Sequence, residues 1–141
     1  MNQCHESGRV LFAVIFLLGA IANSMILITN PGMYQGFADL SIIPFYREAW
    51  MRYVIPNLPF FVGLTIVFEL ALSFSLLHKG LYVPLGLLLA AIFMLFLVPF
   101  WWSGGGLLNL VFSLLLIWLL GFDYQVPSIQ LLKHRSMGDD K

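Results

Sequence analysis

Four long apolar runs dominate the chain, at residues 10–29, about 59–77, 81–100 and 107–122. Each approaches the ~20 residues an α-helix needs to cross the hydrocarbon core of a bilayer. The pattern therefore predicts an all-α membrane protein, an antiparallel bundle of four transmembrane helices filling residues 1–124, with a short tail at 125–141. Polar breaks are brief: His78-Lys79-Gly80 separates the second and third runs, and Trp101-Trp102-Ser103-Gly104-Gly105-Gly106 the third and fourth. Connections this short make sequential helices antiparallel neighbours. The one long connection, 30–57, mixes Phe37, Phe45, Trp50 and Tyr53 with Asp39, Arg47, Glu48 and Arg52. From Pro44 onward that pattern predicts a short interfacial helix lying over the outer end of the bundle. The first run could pass for a signal peptide with a cleavage-like Ala20-Ile21-Ala22, but its apolar stretch continues to Ile28, so it is expected to be the first membrane helix. No internal repeat or low-complexity segment is visible.

Composition sharpens this picture. With 60% hydrophobic and 10% charged residues, the chain expects lipid as its solvent, and a balance of 7 basic against 7 acidic residues excludes a nucleic-acid partner. Arg9, Lys79, Lys133, Arg135 and Lys141 fall on one side of a four-span topology, and Arg47 and Arg52 on the other. The positive-inside rule then places both termini in the cytoplasm. Tyr82, Trp101, Trp102, Trp118 and Tyr124 sit near run ends, where aromatic side chains meet the headgroups. The single cysteine, Cys4, has no intrachain partner and reads as a free thiol.

Candidate chemistry centres on Glu69, near the middle of the second run, where a carboxylate costs a few kcal/mol to keep ionised or becomes protonated instead. It is expected to face the bundle. Thr65, Glu69 and Ser73 recur every four residues on one helix face, and Asn23 and Asn109, with Ser113 a turn deeper, lie at comparable depth on the first and fourth helices. These residues are the candidate ligand-binding set, with Glu69 as the floor of a cavity and at least one of Asn23, Thr65, Ser73 or Asn109 as its hydrogen-bond partner. The competing reading is that the polar residues only fix helix packing. Arg9, at the start of the first helix, is expected to snorkel to the headgroups and not to pair with Glu69. Gly19, Gly63 and Gly86 read as packing positions. His5, His78 and His134 lack metal-ligand spacing, no histidine lies deep enough to ligate haem, and no nucleophile, histidine and acid share a depth. No metal site, catalytic residue or independent enzymatic activity is expected.

The chain resembles the DoxX-like family of four-helix membrane proteins. The resemblance is carried by Gly8-Arg9-Val10-Leu11-Phe12 leading into the first run with Gly19, the long apolar outer loop, Phe68-Glu69-Leu70, the Leu77-His78-Lys79-Gly80 turn, and Asn109. It implies an inner-membrane protein and a noncatalytic subunit or binding module, associated with a quinone-linked oxidoreductase or holding a lipophilic ligand such as a quinone or lipid around Glu69. A small transporter or proton-coupled pathway, and a structural or assembly scaffold, are the alternatives. Expected partners are the bilayer and a membrane or redox protein, with homo-oligomerisation left open.

Overall fold

In the computed structural model, which describes residues 3–100 and 105–124, every element is helical and no strand is present among the described residues. The Trp101-Trp102 pair, the tail at 125–141 with Lys133, His134, Arg135 and Lys141, and the Cys4 side chain lie outside the described residues. Helix α1 runs Gln3–Thr29 and begins well before the apolar run. Glu6 in its first turn complements the positive end of the helix dipole. The helix stops before Asn30, which Pro31 biases away from helical geometry.

The 30–57 connection is more ordered than a loop with one helix. A short α2, Met33–Asp39, was not expected there, because Gly36 weakens its propensity; its signal is the pair Tyr34 and Ala38, one turn apart and both buried. A helix does begin at Pro44, as α3, Pro44–Ala49, with Pro44 in its first turn. It does not end before the second run. It continues through a π-helical turn, Trp50–Val54, and a 3-10 turn, Ile55–Asn57, into α4, Leu58–Leu77. Pro56 and Pro59 lack the amide protons that a regular helix would use, so the path changes pitch there without breaking.

Helix α5 covers Tyr82–Leu97, three residues short of the apolar run because Pro99 follows, and α6 covers Leu107–Leu119. Gly80 closes the α4–α5 turn at φ +63°, a left-handed conformation open to glycine at little cost. Two helical paths are long and apolar enough to cross a membrane, His5–Thr29 and Pro44–Leu77; α5 and α6 are apolar but shorter.

Helix α1 packs chiefly on α4, α5 packs on both α4 and α6, and α6 returns to touch α1. Between them lies a core containing Phe12, Phe16, Leu72, Leu76, Leu87 and Leu116. A second, smaller cluster joins Tyr34, Leu58 and Val62 beneath α2 and the π turn. The connection is drawn across this end of the molecule to α5: Tyr46 and Trp50 set their rings 5.5 and 5.0 Å from Phe100, and the Ile42 N–H donates to the Pro99 carbonyl at 3.2 Å. The outward faces carry Leu18 on α1, Phe60 and Phe74 on α4, Leu85 on α5 and Leu114 on α6, all largely exposed.

Candidate functional site

Glu69 is buried, 6% exposed, on the face of α4 that meets α1. What makes room for it is Gly19: a Cβ there would lie 2.7 Å from Glu69 Oε1. One turn further along the same face of α1, Asn23 Nδ2 donates to Glu69 Oε2 at 2.9 Å. The other end of that amide is held from the connection, since the Tyr34 hydroxyl donates to Asn23 Oδ1 at 2.9 Å and lies 3.2 Å from the Asn23 carbonyl. Tyr34 is itself clasped through its backbone, its carbonyl accepting from Trp50 Nε1 at 2.9 Å. The result is a relay of hydrogen bonds, Trp50 to Tyr34 to Asn23 to Glu69, leading from the π turn to an acid between the two apolar clusters. Burial pushes the Tyr34 phenol up from its ordinary range, and the Glu69 charge adds to this, so Tyr34 acts as a neutral donor.

Of the sequence-predicted site residues, Asn23 and Glu69 meet and the others do not join them. Thr65 is half-buried, and its hydroxyl turns back to donate to the Phe61 carbonyl at 3.0 Å within its own helix. Ser73 is buried one turn from Glu69 without a hydrogen bond to it. Asn109 lies partly buried on α6, the helix that packs chiefly on α5, and it makes no hydrogen bond to Glu69. Ser113, deeper on α6, donates to the Ala91 carbonyl at 3.1 Å and fastens α6 to α5. Two members of the Glu69 site escaped sequence reasoning. Gly19 was legible as the residue one turn before Asn23, whereas Tyr34 belongs to a helix that the pattern did not predict.

A second polar group closes the opposite end. Arg9 does not snorkel outward. Its side chain is fully buried, ion-paired with Glu6 one turn earlier, with its guanidinium 4.9 Å from the centre of the Tyr124 ring and Nη1 donating to the His78 carbonyl at 3.2 Å. The ion pair and the aromatic face substitute for water around the charge. His5 stacks flat on Phe122 at 4.6 Å, and the Gly80 N–H donates to the Tyr124 carbonyl at 2.7 Å. Residues 120–124 are thereby strapped between the start of α1 and the α4–α5 turn. Burial pushes the Tyr124 phenol up to about 12, against the opposing pull of Arg9.

Compared with protein-family models, curated proteins and solved structures, the chain finds no match.

Proposed function

We propose that this chain is an integral membrane protein of the DoxX-like kind, an antiparallel four-helix bundle with cytoplasmic termini. In this reading it serves as a noncatalytic binding module or subunit that holds the polar end of a lipophilic molecule at Glu69. The observation that carries this reading is the Glu69–Asn23 hydrogen bond, buried among helices whose outward faces are apolar. A soluble monomer rarely exposes apolar surface on that scale, whereas a bilayer covers it without cost. An acid inside such a bundle is a functional group by default. Few and well-oriented polar groups in apolar surroundings suit a ligand with a small polar head and a hydrocarbon body.

A path for ions or protons through the bundle is less well supported. Phe12, Phe16, Leu72, Leu76 and Leu116 form an apolar layer in the core that also includes Tyr124, the aromatic partner of Arg9 at the far end. Among the described residues, the hydrogen bonds from Glu69 lead toward α2 and the π turn. The DoxX-like resemblance suggests a quinone or lipid as the lipophile and a quinone-linked oxidoreductase as the partner.

The test is extraction. Wild-type protein and Glu69→Leu, purified from the same membranes in the same detergent, are stripped with organic solvent and the released molecules measured by mass spectrometry. One lipid or quinone enriched over bulk membrane in the wild type, and depleted several-fold in the variant, is the expected result. Identical extracts matching the bulk membrane would overturn the binding site.

A further inference from the structure

The geometry points to Tyr34 as a positioning residue for the Glu69 site: by donating to Asn23 Oδ1 it fixes the orientation of the Asn23 amide and so delivers the Nδ2 donor to Glu69. This rests on the reading of Glu69 as the functional group. The argument is one of hydrogen-bond inventory. An asparagine amide has a donor end and an acceptor end that differ little in shape, so packing alone does not choose between them; the partners do. Asn23 stands between two oxygens, the Tyr34 hydroxyl and Glu69 Oε2, each 2.9 Å from one end of the amide. An ionised carboxylate oxygen only accepts, and a phenol has one proton to give. The Tyr34 hydroxyl stands 2.9 Å from Oδ1 and 3.2 Å from the Asn23 main-chain carbonyl; given to the nearer Oδ1, its proton satisfies both ends of the amide and leaves the donor facing the acid. If the amide were reversed, the Asn23 carbonyl oxygen would face Glu69 Oε2, and with Glu69 ionised two acceptors would oppose one another in a buried site.

Tyr34 is suited to the task by how it is held. It is 4% exposed, it packs with Leu58 and Val62, and its ring meets Phe37 edge-on at 5.9 Å. The bond from Trp50 Nε1 to its carbonyl ties its backbone to the π turn, and the link from Ile42 to Pro99 ties the following segment to the end of α5. The hydroxyl is therefore aimed by the whole connection across this end of the molecule. Helix α2 contributes to the site through a single atom, and displacing α2 would release the amide before it disturbed the α1–α4 contact.

Infrared spectroscopy in phosphatidylcholine vesicles reads the orientation directly. The Glu69 side-chain carboxyl band is defined as the intensity absent from Glu69→Gln. Asn23→Ala removes the donor and sets the size and direction of the band shift. Tyr34→Phe, which keeps the ring and deletes only the hydroxyl, is expected to shift the band in the same direction by a smaller amount, with the thermal unfolding midpoint in detergent close to wild type. A merely structural tyrosine would leave the band in place. Trp50→Phe, which releases the Tyr34 carbonyl, provides a second variant should Tyr34→Phe fail to fold, and is expected to broaden the same band. If Asn23→Ala moves the band while Tyr34→Phe and Trp50→Phe both leave it at the wild-type position, Tyr34 does not position the amide and the proposal is overturned. No lipophile is added in this experiment, so a failed extraction test overturns the ligand and leaves the Tyr34 result standing.

Discussion

Alanine at position 19 would place a methyl group 2.7 Å from Glu69 Oε1 and 3.2 Å from Cδ, closer than real contacts allow. The obstructing atoms are the far end of a long side chain, so the carboxyl can swing away while the α1–α4 backbone spacing persists. Any overpacking strain, ~1–3 kcal/mol where nothing yields, is relieved by that movement and offset by the ~1 kcal/mol advantage of alanine over glycine in a helix. What is lost is the bond to Asn23. We expect Gly19→Ala to unfold within a few degrees of wild type and yet lose the proposed lipophile as completely as Glu69→Leu. A large fall in unfolding temperature with the lipophile retained would contradict this assignment. The same logic separates Arg9 from a surface arginine: its charge is satisfied by Glu6, Tyr124 and a carbonyl, and its long stem is part of the packing.

Between elements, Gly86 governs the approach of α5 to α4. A Cβ on Gly86 would stand 2.9 Å from Ser75 Cβ, and neither atom can move without its backbone. Gly63, on α4, has no atom within 4 Å of the corresponding position. Gly86→Ala is accordingly expected to force the helices apart at a cost of ~1–3 kcal/mol. Gly63→Ala is expected to be neutral or to gain up to ~1 kcal/mol from helix propensity. Unfolding in detergent, followed by circular dichroism, checks the pair; equal midpoints for the two variants would show that the α4–α5 spacing is not set at Gly86. The sequence marked both glycines as packing positions. Only the spacing of the folded helices distinguishes the one that is needed from the one that is not.

For the whole molecule, the proposed bundle makes a prediction about sidedness. With termini in the cytoplasm, Arg47 on α3 and Lys79 in the α4–α5 turn belong to opposite faces of the membrane. In a Cys4→Ser background, a membrane-impermeant maleimide added to intact cells is expected to label Arg47→Cys, and to label Lys79→Cys only after the cells are opened. The reverse pattern would invert the topology, and labelling of both in intact cells would refute a bilayer-spanning arrangement. The α3–α4 path supports the expectation. Its 34 residues at 1.5 Å per residue would make about 51 Å if straight, more than the ~30 Å hydrocarbon core, so its polar Arg47, Glu48 and Arg52 end has the length to reach the aqueous side.

Much of this was legible from the linear pattern. Runs of leucine, phenylalanine and valine with turn residues between them determine that the chain is helical and apolar on its outside, because helix propensity and hydropathy are local properties that add along the sequence. Glu69 stood out for the same reason, as the one acid in a run that should contain none, and its four-residue spacing from Thr65 and Ser73 did place all three on one face of α4. Which neighbours Glu69 takes was not local. Thr65 had its own carbonyl at i−4 within reach, and Asn109 rides on a helix that packs mainly elsewhere, so a shared depth did not bring them to the acid. Asn23 reached it because Gly19 lets α1 approach the carboxyl, and Tyr34 reached Asn23 because a weak helix, α2, is held by Trp50 and the end of α5. The burial of Arg9 depends likewise on the return of residues 120–124 beneath α1. Contacts between residues far apart in the chain depend on helix spacing and rotation, which the apolar pattern leaves free and which only side-chain packing in three dimensions decides.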